Sequence, residues 1–149
     1  MQIRRLAFAV VPVVAAGGLG GLASRDAAET YGRLSKPAWA PPAAVFGPVW
    51  TLLYTGIAVA GWRLHDAGSP RTKRLHLTQL ALNAAWPAAF FGAGEKKVSL
   101  AVIAALDALV AAEVAAARRE DPTSAALLTP YLAWTGFATA LHASVSEPA

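Results

Sequence analysis

The chain has 149 residues, of which 56% are hydrophobic and only 15% charged, with a mean hydropathy of +0.43; a soluble domain averages about 25% charged residues. Its net charge of +4 comes from short basic blocks between long apolar runs, which marks loops between membrane spans and excludes a nucleic-acid-binding stripe. The absence of cysteine excludes disulfides, thiolate metal sites and cysteine catalysis.

Residues 6–22 are uncharged, follow Arg4 and Arg5, and read as a first span. A signal peptide with a cleavage site near Gly21-Leu22-Ala23 is the rival reading. The apolar character of everything downstream favours a retained span. Residues 24–42 form a polar, proline-rich connection, long enough to be a lid or binding element. Residues 36–54 then read KPAWAPPAAVFGPVWTLLY. Pro37, Pro41 and Pro42 hold the approach extended, because proline lacks an N–H and clashes with a preceding helical turn. Pro48 falls in the first turn of the next run, where that loss costs least.

Further spans are predicted over 45–64, 75–91, 98–117 and 123–145, with a tight polar turn over 92–97. Each run suits a helix crossing roughly 30 Å of hydrocarbon. Only helices fit, since open strands leave backbone groups unsatisfied in lipid. The expectation is an all-α integral membrane protein of five transmembrane helices in one domain over residues 1–149. With the N-terminus inside, Arg4, Arg5, Arg63, Arg71, Lys73, Arg74, Arg118 and Arg119 share one side, against Arg25, Arg33, Lys36, Lys96 and Lys97 on the other. That bias favours a cytoplasmic N-terminus.

Three spans carry aromatic stripes at helical spacing. They are Phe46, Trp50, Tyr54, Ile57 and Gly61; Gln79, Asn83, Trp86 and Phe90; and Trp134, Phe137, Ala138, Leu141 and His142. Asn83 is costly in mid-membrane without a partner, so it should face protein or a cavity. Pro87 cannot donate to the Asn83 carbonyl, which adds a second polar group at the same place. The alternative is that Gln79 and Asn83 only bridge neighbouring helices. Ala81, Ala85 and Ala89 mark either packing within the bundle or a dimer seam. Trp62 reads as an interfacial anchor. Asp107 and Glu113 are unusual in a membrane span.

Tyr31-x-x-Leu34-x-Lys36-Pro37-x-Trp39-x-Pro41-Pro42 and Val45-Phe46-Gly47-Pro48-Val49-Trp50-x-x-Leu53-Tyr54 resemble the TspO/MBR family, the translocator and tryptophan-rich sensory proteins. Gln79-Leu80-Ala81-Leu82-Asn83-x-x-Trp86, Phe90-Phe91-Gly92 and Pro130-Tyr131-Leu132-x-Trp134-x-x-Phe137-Ala138-Thr139 are similar to its later blocks. The resemblance implies a five-helix bundle whose pocket binds tetrapyrroles such as protoporphyrin IX. Haem-like porphyrins are then ligands, with no required cofactor and no metal site.

By the same resemblance, Trp50, Asn83, Trp134 and Ala138 line the pocket, and Trp39 belongs to the lid. Together with the stripes this gives a candidate binding set of Trp39, Phe46, Trp50, Tyr54, Asn83, Trp86, Phe90, Trp134, Phe137, Ala138 and His142. Lys36 or Arg33 is the expected contact for ligand carboxylates. The resemblance also implies a homodimer, and a contested light-driven porphyrin degradation that would use Trp50 and Trp134. A transporter is a further alternative, with Asp107 and Glu113 as the candidate proton carriers. No nucleophile–base pair points to any other enzyme.

Two departures stand out. The family usually has proline where this chain has Ala88, so the kink is expected one residue earlier. The segment 141–147, LHASVSE, lacks the tyrosine and basic residue of the sterol motif, so sterol binding by that motif is not supported. His142 stands where asparagine is general; it is expected to be a hydrogen-bonded helix histidine, with haem ligation the alternative.

Overall fold

The computed structural model describes residues 1–92 and 95–145. The turn expected over 92–97 and the end of segment 141–147 fall partly outside them. Among the described residues there are six α-helices: α1 (Gln2–Ala23), α2 (Ala27–Arg33), α3 (Phe46–Ala67), α4 (Pro70–Pro87), α5 (Lys96–Glu120) and α6 (Pro122–Ser144). A 3-10 turn (Ala43–Val45) precedes α3, and a π-helical turn (Ala88–Gly92) follows α4.

Beside the five long helices expected, the described residues contain a sixth, short one. The extra one, α2, lies inside the connection read as a loop over 24–42. Its sequence, AAETYGR, is free of proline, and Glu29 and Arg33 pair one turn apart. The prolines act only from Pro37 onwards. Helix α4 also starts earlier than expected, at Pro70. Ser69 caps it, its hydroxyl accepting the Thr72 N–H at 3.2 Å, and Pro70 occupies the first turn. Arg71, Lys73 and Arg74 thus lie on a helix and not in a loop.

The five long helices close into a ring in the order α1–α3–α6–α5–α4, with α4 returning to α1. Helices α3 and α4 follow one another in the chain yet barely touch, because α1 lies against both. Helix α1, the stretch Ala43–Ala67 and α5 are each long and apolar enough to cross a membrane. Helix α4 is less apolar because Thr72, His76, Gln79 and Asn83 form much of its buried face. The exterior is apolar instead: Leu6, Val11, Val14, Leu19 and Leu22 on α1 and Leu52 on α3 are exposed. Apolar outside with polar groups turned inside is the arrangement a lipid solvent demands.

Ile57, Leu64, Leu80, Leu106, Leu128 and Tyr131 fill the centre of the bundle. Ala81 and Ala85 are exposed, so this small-residue stripe does not pack inside the bundle.

One end of the bundle is stapled by polar side chains. Arg63 on α3 makes a two-pronged contact with Asp121 (Nε to Oδ2 2.7 Å, Nη2 to Oδ1 2.9 Å). Asp121 also accepts from the Ser124 hydroxyl, and caps α6 by accepting the Ser124 N–H at 3.3 Å. Arg5 on α1 reaches Asp66 at 3.1 Å and lies over the Trp62 ring. The hydrogen bonds from Arg63 first, and from Ser124 second, hold the Asp121 carboxyl well below the usual carboxylate range. A lowered pKa stabilises the fold above the ordinary carboxylate pKa, and that stability is lost as the pH falls toward the folded-state value. The melting temperature in detergent is accordingly expected to fall below about pH 4. Asp121→Asn should melt lower than the parent at neutral pH and lose much of that acid dependence.

Candidate ligand-binding site

A cavity of about 470 Å³ opens between α1, α3, α4 and α6 beneath the α2 segment. That volume falls within the range of small-molecule sites, roughly 300–1,000 Å³. Nine of the eleven candidates line it: Phe46, Trp50, Tyr54, Asn83, Trp86, Phe90, Trp134, Ala138 and His142. Helix α3 presents Phe46, Trp50 and Tyr54 at four-residue intervals, so that they stack along one face. Trp50 lies 5.3 Å from Tyr54 between ring centroids, and Phe46 meets Trp134 edge-on at 5.7 Å.

Trp39 and Phe137 are outside the lining. Trp39 is half exposed, with its ring edge-on to Phe137 at 5.8 Å. The covering wall is formed instead by Ala27, Ala28 and Tyr31 of α2, with Leu34 and Ala43. Tyr31 is pinned there by donating to the Pro41 carbonyl at 2.6 Å and by edge contact with Phe46. The segment over the cavity is thus a short helix tied to the prolines that follow it, with Trp39 to one side.

The floor is polar. The Tyr54 hydroxyl donates to Asn83 Oδ1 at 2.7 Å, and Asn83 Nδ2 donates to the Tyr131 hydroxyl at 2.9 Å. Asn83 therefore both faces the cavity and bridges neighbouring helices, which joins the two readings of this residue. Pro87 ends α4, and the chain continues as the π-helical turn that carries Phe90 into the wall. His142 Nε2 lies 2.9 Å from the Ser99 hydroxyl, and its ring sits 4.6 Å from that of Phe90. The hydrogen-bonded histidine is what the structure contains.

Helix α1 and the turn after it supply a wall that the sequence stripes missed: Gly17, Gly20 and Gly21 on the helix, then Ser24 and Arg25. A Cβ on Gly17 would touch the Tyr54 ring at 3.5 Å, and one on Gly20 would touch Pro87 at 3.5 Å. The glycine pairs at 17–18 and 20–21 were the available signal, since small residues permit close helix approach in lipid.

The expected carboxylate contacts are otherwise engaged. Arg33 pairs with Glu29, and Lys36 donates to the Tyr31 and Leu34 carbonyls at 2.7 and 3.1 Å. Arg25 is the basic residue in the lining. Asp107 faces Thr139, whose hydroxyl lies 2.5 Å from its Oδ2, and Glu113 meets His76.

An apolar helical ring around a cavity with a polar floor defines an all-α integral membrane protein. The sequence matches the TspO/MBR family over residues 8–147. It is 34% identical to the tryptophan-rich protein TspO of Archaeoglobus fulgidus over 149 aligned residues, covering 97% of each chain. It is 37% identical to the human translocator protein over 118 residues, covering 75% of this chain and 70% of that one. With the tryptophan-rich sensory protein of Cereibacter sphaeroides it shares 36% identity over 115 residues, covering 76% of this chain and 73% of that one. The chain belongs to the TspO/MBR family. That membership supports a membrane receptor or sensory role.

Proposed function

We propose that the protein is a receptor or carrier for tetrapyrroles such as protoporphyrin IX, with a regulatory or transport role in tetrapyrrole metabolism. The observation that carries this reading is the slot lined by Trp50, Trp86, Phe90 and Trp134 above the Tyr54–Asn83 floor. A flat apolar macrocycle suits such walls, since each aromatic pair contributes about 0.5–1.5 kcal/mol beyond area burial. Engagement of His142 by Ser99 favours a porphyrin held by stacking over a haem held through its iron.

Arg25 is the anchor for ligand carboxylates on this reading, in place of Lys36 or Arg33. Protoporphyrin IX is expected to quench tryptophan fluorescence saturably in purified protein. Arg25→Gln should weaken that binding by about fivefold, the worth of one partly exposed charge contact of about 1 kcal/mol. Binding of the dimethyl ester should not change in this variant. Equal losses for acid and ester would remove Arg25 from the role, and no saturable quenching by either would remove the porphyrin reading.

Trp50 and Trp134 both line the slot, which keeps light-driven porphyrin degradation as a second reading. It requires that illuminated protein convert protoporphyrin IX to a new product while Trp→Phe variants at 50 and 134 do not. The location that goes with the main reading is a bacterial cell membrane with a cytoplasmic N-terminus. A homodimer belongs to it too, for which exposed Ala81 and Ala85 are a candidate seam.

A further inference from the structure

His76 on α4 and Glu113 on α5 are both fully buried, with Nδ1 2.5 Å from Oε1. His76 Nε2 and Glu113 Oε2 have no hydrogen-bond partner among the described residues. The ring is wedged in place: Phe8 of α1 stacks on it at 5.5 Å, and a Cβ on Gly61 of α3 would lie 2.8 Å from Nε2. One turn further along α4, Gln79 accepts from the Tyr131 hydroxyl at 2.7 Å, while its own Nε2 has no partner. Tyr131 in turn accepts from Asn83, which accepts from Tyr54 on the cavity floor.

We propose that His76 and Glu113 form a buried proton-binding site linked to ligand occupancy of the cavity through Gln79, Tyr131, Asn83 and Tyr54. The pair carries no net charge with one shared proton, whether as imidazole and carboxylic acid or as imidazolium and carboxylate. Losing that proton leaves a negative charge in a low-dielectric interior, where an isolated charge is costly. The bonds run one way, each donor pointing from the cavity toward Gln79, whose own amide N–H is not hydrogen-bonded to the pair; the link to the pair is electrostatic, the Glu113 carboxylate acting on Tyr131 through its charge. A change in the pair's charge therefore bears on the orientation of the floor.

The neighbouring charged groups are otherwise occupied. Arg5 of α1 binds Asp66, and on α3 His65 binds Asp66 while Arg63 binds Asp121. On α5, Asp107 faces Thr139 and Glu120 accepts from the Ser69 N–H. Tyr131 is the titratable group that α6 presents toward the pair. No Lys or Arg forms an ion pair with Glu113 among the described residues.

The sign follows from solvation. An apolar ligand displaces water from the cavity, which further disfavours the charged pair. Binding then takes up a proton from bulk water, and affinity rises as pH falls.

The test uses full-length protein in nanodiscs and protoporphyrin IX dimethyl ester, which lacks titrating carboxylates. The choice of probe rests on the porphyrin reading. Affinity measured by fluorescence quenching should rise at least about fivefold between about pH 8 and about pH 5. Glu113→Gln and His76→Gln should each reduce that change to less than about twofold. Tyr131→Phe should flatten it too while leaving the proton site intact.

Infrared difference spectra report that site without any ligand. A carboxylic-acid C=O band of Glu113 or an imidazolium ring band of His76 should grow as pH falls, vanish in the matching variant Glu113→Gln or His76→Gln, and persist in Asp107→Asn and Tyr131→Phe. A pH-independent affinity, a rise in the opposite direction, or an unchanged slope in Glu113→Gln overturns the linkage. If the ester does not bind, the porphyrin reading fails, and spectra in which neither the Glu113 nor the His76 band follows pH overturn the proton site by themselves.

Discussion

Trp50→Ala is expected to lower the affinity for protoporphyrin IX by about 30-fold, the effect of truncating an aromatic anchor worth about 2 kcal/mol. Trp50 lies at the junction of wall and floor. It packs against Tyr54 at 5.3 Å and meets Tyr131 edge-on at 6.2 Å, so its loss removes a stacking surface and loosens the groups that order Asn83. Trp134→Ala should cost a similar amount, because Phe46 and Phe137 both lean on its ring. Trp39→Ala should change affinity by less than about threefold, as its ring sits outside the cavity. Quenching titrations on the three variants decide the matter. Unchanged affinity in both Trp50→Ala and Trp134→Ala would remove the ligand from this cavity, and a large loss in Trp39→Ala would return that residue to the lid.

His76→Leu is expected to be the most destabilising single change, at about 3–5 kcal/mol, because it leaves Glu113 buried without its partner. The double variant His76→Leu/Glu113→Leu should recover most of that loss, since well-packed apolar residues often replace a buried pair at no cost. Reversible unfolding in mixed micelles gives the comparison. A double variant as unstable as His76→Leu alone would mean that the His76 ring matters for packing against Phe8 and Gly61 more than for charge.

Much of this molecule was legible in the sequence. Apolar runs bounded by basic blocks set the all-helical membrane class, because lipid leaves the backbone no other way to satisfy itself. Helical spacing put Phe46, Trp50 and Tyr54 on one face, and the same was true of Asn83 with Trp86 and Phe90. The first is a property of a single helix, whereas Phe90 joins Asn83 and Trp86 from the π-helical turn after α4. Helix α2 was hidden by the prolines after it, although Glu29 and Arg33 sat at pairing distance along the chain.

The relations between helices had no such local signature. Helix α1 lies against both α3 and α4, and its glycines form a cavity wall only because those two helices stand apart. Whether Lys36 or Arg25 faces the cavity depends on how the segment after α1 folds back. Glu113 reads as an isolated acid in its own span, and His76 lies 37 positions earlier. Composition determined that the chain lives in lipid and that its polar groups turn inward. Which groups meet there was decided by the ring order of the helices, since buried polar side chains take the partners that packing brings within reach.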